Sequence, residues 1–412
     1  MSTLETDRSE RLHGLDALRG GALLLGVVLH AALAFFPTPV WLVTDPATSP
    51  VAGVLFFAIH VFRMATFFVI AGLFAHLLLQ RRGVAGFVKD RLLRIAGPLL
   101  AFWWLVLGCI VAVIVWNAWI QTGGNLPSEA PPGPKFTPDD FPLTHLWFLW
   151  VLLLFYVAFL ALRLPLVRYD HTGTWARAGD RLAGALAGPL GPFVLAVPLA
   201  LALYRTPKWI AFFGVPTPGQ ALIPNPAALT AFGVAFGFGV LLARRRDLLV
   251  RIAARWPLYL GLALAATAGA LVLAGGPGPR LVPLTAPGPK AAAAAVYALA
   301  VYASSFAALA LALRFAAGYS ALRRYLADAS YWVYIVHLPL VMAGQVLVQG
   351  LVWPWWLKLA AVVVGTMAIA LASYEGLIRH SFMGLWLNGR RVARRGPAPA
   401  PAPVPPPLVT GQ

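Results

Sequence analysis

Residues 14–36 read GLDALRGGALLLGVVLHAALAFF. Between Arg19 and His30 stand ten consecutive uncharged residues, apolar or glycine. A helix on the surface of a soluble protein keeps a polar face; one that is apolar all round is buried in a large core or in lipid. A run of about 20 such residues is also the length that crosses a bilayer's hydrocarbon core. The whole chain repeats this character. Of 412 residues, 60% are hydrophobic and 11% are charged, where a soluble protein carries about 25% charged residues. The mean hydropathy is +0.77. This composition excludes a disordered chain, a solenoid and a large soluble enzyme. Apolar runs fall at about 15–36, 51–80, 92–120, 145–164, 190–204, 226–243, 256–275, 291–316, 328–349 and 355–379. The expected fold is an all-α polytopic membrane bundle of about ten transmembrane helices. The fifth run is interrupted by Pro189, Pro192 and Pro198, so a kinked or partly re-entrant segment is expected there.

The net charge of +18 resembles that of a nucleic-acid binder, but the basic residues form no single face or domain. They recur in short bursts between alternate runs, as the positive-inside rule requires. With the N-terminus inside, 25 of the 32 basic residues fall in cytoplasmic segments, and one missed span would invert every later loop. Both termini are therefore expected in the cytoplasm, with no nucleic-acid partner. The polar start, Met1 to Leu12, lacks the features of a cleaved signal peptide. Three parts follow: a cytoplasmic segment at 1–14, a transmembrane domain at 15–380, and a tail at 381–412. The tail is basic, then rich in Pro and Ala, and is expected to be extended. The single Cys109 lies in an apolar run and has no disulfide partner in the chain.

Ionisable side chains within a bilayer are costly and mark functional sites by default. In the first run Arg19 and His30, eleven residues apart, share a helix face with about 16 Å between them along the axis. Asp16 precedes Arg19 by three residues, within reach of an ion pair. The second run carries His60 and Arg63 on one face at a depth comparable to His30; Arg63 there needs a carboxylate, backbone carbonyls or a water-filled cavity. Glu375, near the inner end of the tenth run, is a candidate partner for such an arginine. The inner loop at 80–98 presents Arg81, Arg82, Lys89, Arg91 and Arg94, where Arg91 and Arg94 could hold phosphates bidentately. The fourth run opens with His145 and Trp147, placed towards an acceptor on the outer side. In the ninth, ASYWVYIVH, Tyr334 precedes His337 by three residues and can hydrogen-bond across helices.

Each of these has a plainer reading, as a packing histidine, a snorkelling arginine or an aromatic belt. No HExxH, CxxC or carboxylate cluster marks a metal site, and no P-loop or GxSxG motif occurs. A histidine deep in the membrane with basic residues towards the cytoplasm suits general-base catalysis on a group that reaches it through the bundle. The competing reading is a proton-coupled transporter or exporter with Asp16, His30, His60 and Glu375 as a relay.

These residues resemble the acyltransferase-3 family of membrane acyltransferases, within it the branch that modifies periplasmic glucans. The resemblance rests on Arg19 and His30 as an Arg-x10-His pattern inside LDALRG, and on His60, Phe62, Arg63, Met64, Phe67 and Phe68 as H-x-F-R-M-x-x-F-F. It rests also on Arg91 and Arg94, on HLWFL from His145, and on the string from Ser330 to His337. Ala71 stands where many relatives have serine. The resemblance implies transfer of an acyl group, succinyl or acetyl, from cytoplasmic acyl-CoA to a hydroxyl of a periplasmic glucan or other envelope glycan. It implies a multi-pass protein of the bacterial inner membrane, with the lipid bilayer around it. His30 would accept the hydroxyl proton, Arg63 or Arg19 would stabilise the oxyanion, and Asp16 would orient Arg19. Arg81, Arg82, Lys89, Arg91 and Arg94 would meet the CoA phosphates. No metal is implied. Direct transfer and an acyl-enzyme stay open, as does the oligomeric state, a homodimer included.

Overall fold

The computed structural model describes residues 3–125, 133, 136–278 and 280–388. The described chain is helical: α1 (Thr3–Ala32), α2 (Pro50–Arg91), α3 (Gly97–Gln121), α4 (Trp147–Tyr169), α5 (Thr174–Leu186) and α6 (Gly191–Arg205). It continues with α7 (Pro226–Arg244), α8 (Asp247–Ala254), α9 (Trp256–Leu273), α10 (Pro287–Phe315), α11 (Ala321–Val348), α12 (Trp355–Ser373) and α13 (Phe382–Asn388). Among the described residues, eight helical stretches are long and apolar enough to cross a membrane. One of them, Pro50–Gln121, has 72 residues. At 1.5 Å per residue it measures about 108 Å, more than three times a hydrocarbon core of about 30 Å, so it makes two passes. The turn lies where Gly83 adopts φ 64° and where the π-helical elbow Leu92–Ala96 leads into α3. The return of α3 is visible at its far end, where Asn117 Nδ2 stands 3.5 Å from the carbonyl of Leu42, ahead of α2.

The weak fifth run becomes α6, which joins the preceding α5 at an angle of 99°. Pro189 and Pro192 flank the corner; neither has an N–H for a continuing helix. With that pair and the split of the 72-residue stretch, the described helices accommodate the ten runs. Leu100 and Val272, each 72% exposed, and Val364, 66% exposed, face outward, an arrangement a bilayer rewards and water does not. The protein is a multi-pass membrane protein.

Between helices in lipid there is no hydrophobic drive, and close backbone approach replaces it. α2 and α7 cross at Gly72 and Gly239, where a Cβ on either would overlap a carbonyl of the other helix. α1 lies at the centre, packed against α11, α2, α10 and α12. The tail begins with α13, whose Trp386 Nε1 donates to the carbonyl of Leu93 at the elbow. The basic and Pro/Ala-rich remainder expected as an extended tail lies outside the described residues.

Candidate active site

At the end of the bundle that carries the elbow, a cavity of about 270 Å³ opens between α1, α2, α4 and α11. Its mouth is formed by Asp16, Arg19, Arg91, Arg94 and Arg324, and its walls by Phe67, Ile70, Ala71, Phe74, Phe148 and Leu152. The arginines are held by carboxylates. Asp16 meets Arg19 at 3.3 Å and Arg324 at 3.6 Å. Asp90, buried, accepts from Arg82 at 2.9 Å and Arg91 at 2.6 Å, with Arg94 at 3.5 Å. Arg91 Nη1 also donates to Tyr156 Oη at 3.1 Å. Four guanidiniums, Arg19, Arg91, Arg94 and Arg324, line the cavity with Asp16 and Asp328, the latter 3.5 Å from Arg324, and Asp90 backs Arg91 and Arg94; the mouth keeps a small net positive charge, a setting for an anion. The elbow is itself anchored: Pro98 offers no N–H to the carbonyl of Arg94, and Tyr331 Oη donates to that oxygen at 2.7 Å.

The cavity runs inward to Tyr334. Beyond it three imidazoles from three parts of the chain meet. Ring centroids lie 5.3 Å apart for His30 and His337, and 4.8 Å for His145 and His337. Tyr334 Oη donates to the carbonyl of His145 at 2.8 Å. Pro339, inside α11, gives no N–H to the carbonyl of Ile335 four residues back. His145 Nε2 fills that gap, 3.1 Å from Ile335 O and 3.0 Å from Tyr334 O. His337 Nδ1 stands 2.7 Å from Tyr334 O. Carbonyl oxygens only accept, so these nitrogens carry protons, and in the neutral form of each ring the lone pair falls on the other nitrogen, His145 Nδ1 or His337 Nε2. Both of those atoms are buried without a partner, as are His30 Nδ1 and Arg63 Nε.

Arg63 enters this group through Gly26. A Cβ at Gly26 would overlap Arg63 Nη1 and would come within 3.7 Å of His337 Nε2. Among the described residues no carboxylate pairs with Arg63. Thr144, immediately before His145, has φ 53°, costly for a β-branched residue. Strain of this kind collects where function fixes the backbone. His60 stacks on Phe56 with ring centroids 5.1 Å apart, one turn from Arg63.

The structure therefore brings together His30, Arg63, His145, Tyr334 and His337, with His60 alongside. Trp147 packs on Phe232 at 5.5 Å instead of facing the imidazoles. Arg19 is not beside His30; it sits at the mouth with Asp16, about 16 Å away along α1. Arg91 and Arg94 line the cavity, while Arg82, Lys89 and again Arg94 line a separate groove at the elbow. Arg81 lines neither.

Two expected partnerships fail. Glu375 does not reach Arg63: it pairs with Arg379 at 2.9 Å and His380 at 3.2 Å, because they follow it by four and five residues on the same helix end. His145 does not face outward: it is buried, drawn inward by the carbonyls that Pro339 leaves free. Arg324, Asp90, Trp41, Gln345 and Pro339 escape a reading of the sequence. Gln345 alone gave a signal, as an amide in an apolar run. Among the described residues no group of three or more His, Cys, Asp or Glu is disposed to hold a metal ion.

Glucans biosynthesis protein C of Salmonella schwarzengrund and that of Salmonella typhi are each 31% identical over 144 residues, 35% of this chain and 37% of theirs. The chain thus matches little more than a third of the length of these relatives. No solved structure matches. The family described as an acyltransferase domain, acyltransferase-3, matches residues 12–375, which include every residue of the imidazole cluster. The chain belongs to the acyltransferase-3 family.

Proposed function

We propose that this protein is an integral-membrane O-acyltransferase of the bacterial inner membrane. It moves an acyl group, succinyl or acetyl, from cytoplasmic acyl-CoA to a hydroxyl of a periplasmic glucan or another envelope glycan. One observation carries the reading: a cavity with an arginine-rich mouth leads to Tyr334, behind which His30, His145, His337 and Arg63 hold unpartnered polar atoms. The basic mouth takes the cytoplasmic side, in keeping with the positive-inside bias. Arg91, Arg94, Arg19 and Arg324 meet the phosphates of the donor, and its thioester arm lies along the apolar wall past Ala71.

The acceptor arrives from the opposite end. His30 takes the proton of the attacking hydroxyl as its oxygen bonds to the thioester carbonyl carbon. The carbonyl oxygen becomes an oxyanion, which Arg63 stabilises by about 3 kcal/mol, the worth of one well-placed donor. Collapse breaks the carbon–sulfur bond, the departing CoA thiolate takes up the proton held by His30, and an ester remains on the acceptor. Asp16 holds Arg19 at the mouth. The transporter reading has less support, since Asp16 and Glu375 are engaged by arginines away from His30.

The test is His30→Ala in purified protein supplied with acyl-CoA and envelope carbohydrate. Loss of CoA release and of glycan esters, with normal protein yield, is the expected result. Full transfer by the variant would remove His30 from the chemistry.

A further inference from the structure

The segment between α1 and α2 folds back over the end of α1. Asp45 N donates to the carbonyl of Ala34 at 3.0 Å, and Ser49 N to that of Phe35 at 2.8 Å. A buried ion pair pins it: Lys358 Nζ on α12 lies 2.8 Å from both carboxylate oxygens of Asp45. The segment so held delivers Trp41 to His30, with ring centroids 5.7 Å apart and planes inclined at 31°.

An indole near a membrane surface commonly serves as a belt residue, its ring in lipid and its N–H towards water. Trp41 does otherwise. Its Nε1 donates at 3.0 Å to Oε1 of Gln345, which is itself buried. Gln345 Nε2 in turn donates to the carbonyls of His30 and Ala31 at 2.9 and 3.2 Å. The indole is therefore oriented inward with its only polar atom occupied, and it is half-buried, as is His30 beneath it. His30 does not line the arginine-mouthed cavity.

Two buried amide atoms on neighbouring elements lack partners: Asn117 Oδ1, whose other amide atom stands 3.5 Å from the carbonyl of Leu42, the residue after Trp41, and Gln349 Nε2, one helical turn beyond Gln345. Asp45 and Lys358, which pin this segment, cancel each other's charge. An oriented apolar ring face, one free amide acceptor, one free amide donor and no net charge match the chemistry of a neutral sugar ring. Such a ring has a C–H face and a rim of hydroxyls that both donate and accept.

We infer that Trp41 is the platform on which the acceptor's sugar ring stacks, presenting its hydroxyl to His30 from the side opposite the cavity. The inference rests on the acyl-transfer reading above and adds the acceptor subsite to it. The test uses purified protein in detergent, acyl-CoA, and total envelope carbohydrate extracted from a strain lacking this chain, with CoA release followed against carbohydrate concentration. Trp41→Ala is expected to raise the half-saturating carbohydrate concentration about tenfold, the loss of one stacked ring. Trp41→Phe, which keeps a ring face without the N–H, stays within about threefold. Trp356→Ala, at an exposed tryptophan outside the site, leaves the half-saturating concentration as it was. An unaltered half-saturating concentration in Trp41→Ala overturns the inference. So does an equal loss in Trp41→Ala and Trp41→Phe, which would assign the effect to the Gln345 bond. Silence of the wild-type protein with every carbohydrate fraction would instead bring down the acyl-transfer reading itself.

Discussion

Pro339 and His145 form a complementary pair: the proline withholds an N–H from the carbonyl of Ile335, and the imidazole supplies one at 3.1 Å. The consequence is a fixed tautomer. His145 is protonated on Nε2, and its Nδ1, like His337 Nε2, is buried without a partner.

Replacing Pro339 by alanine restores the N–H and lets α11 satisfy Ile335 internally, leaving His145 to compete for its anchor. Proline inside a helix costs about 3 kcal/mol, so the variant is expected to unfold no earlier than the wild type. Acyl transfer is expected to fall about tenfold, about 1.4 kcal/mol in the barrier. Thermal unfolding and turnover measured on one preparation check this; turnover at the wild-type rate would show that the tautomer lock is dispensable.

Gly26 makes room for Arg63. Gly26→Ala is expected to displace the guanidinium from the imidazoles, because the added methyl would occupy the position of Nη1. Arg63→Lys removes the planar fork while keeping the charge. Both should lower kcat about a hundredfold, the scale for one lost oxyanion donor, with little effect on the KM for acyl-CoA. A shift confined to KM would move Arg63 from the reacting carbonyl to the donor's binding site.

Arg91 and Arg94 line the cavity and are oriented by Asp90. Reversing both to glutamate is expected to raise the half-saturating acyl-CoA concentration at least about tenfold and to weaken its salt dependence, since phosphate attraction is screened by ions. Reversing Arg81, which lines neither the cavity nor the groove, should change it little. Equal effects at the two places would mean that general surface charge, and not the mouth, attracts the donor.

Lys358 and Asp45 are both almost inaccessible, with side chains 1% and 2% exposed. Removing one partner strands a buried charge, at a cost of about 3–5 kcal/mol. Lys358→Met should therefore lower thermal stability markedly, and adding Asp45→Asn should recover most of the loss. If the double variant is as unstable as the single, the pair is not what holds the segment carrying Trp41.

Much of the site was legible because membrane insertion makes polar residues rare. His30, Arg63, Tyr334 and His337 stand out in apolar runs, and Asp16 falls within an ion pair's reach of Arg19. The elbow's arginines were visible as a basic burst, but the carboxylate that organises them, Asp90, is a single acidic residue among them and carries no pattern. Trp41 lies in a loop, where aromatic residues are common and spacing conveys nothing.

The linear chain determined the all-helical bundle, the approximate positions of its spans and the polar residues inside them. Apolar length and charge distribution are local properties, and a bilayer reads them segment by segment. Only the tertiary structure decided that Arg19 stays at the mouth while Arg63 joins His30, that Glu375 pairs with its own helix end, and that His145 turns inward. Those outcomes depend on which carbonyls are left free and which glycines admit a guanidinium. Both are set by residues far apart in sequence whose backbones meet only when the helices pack.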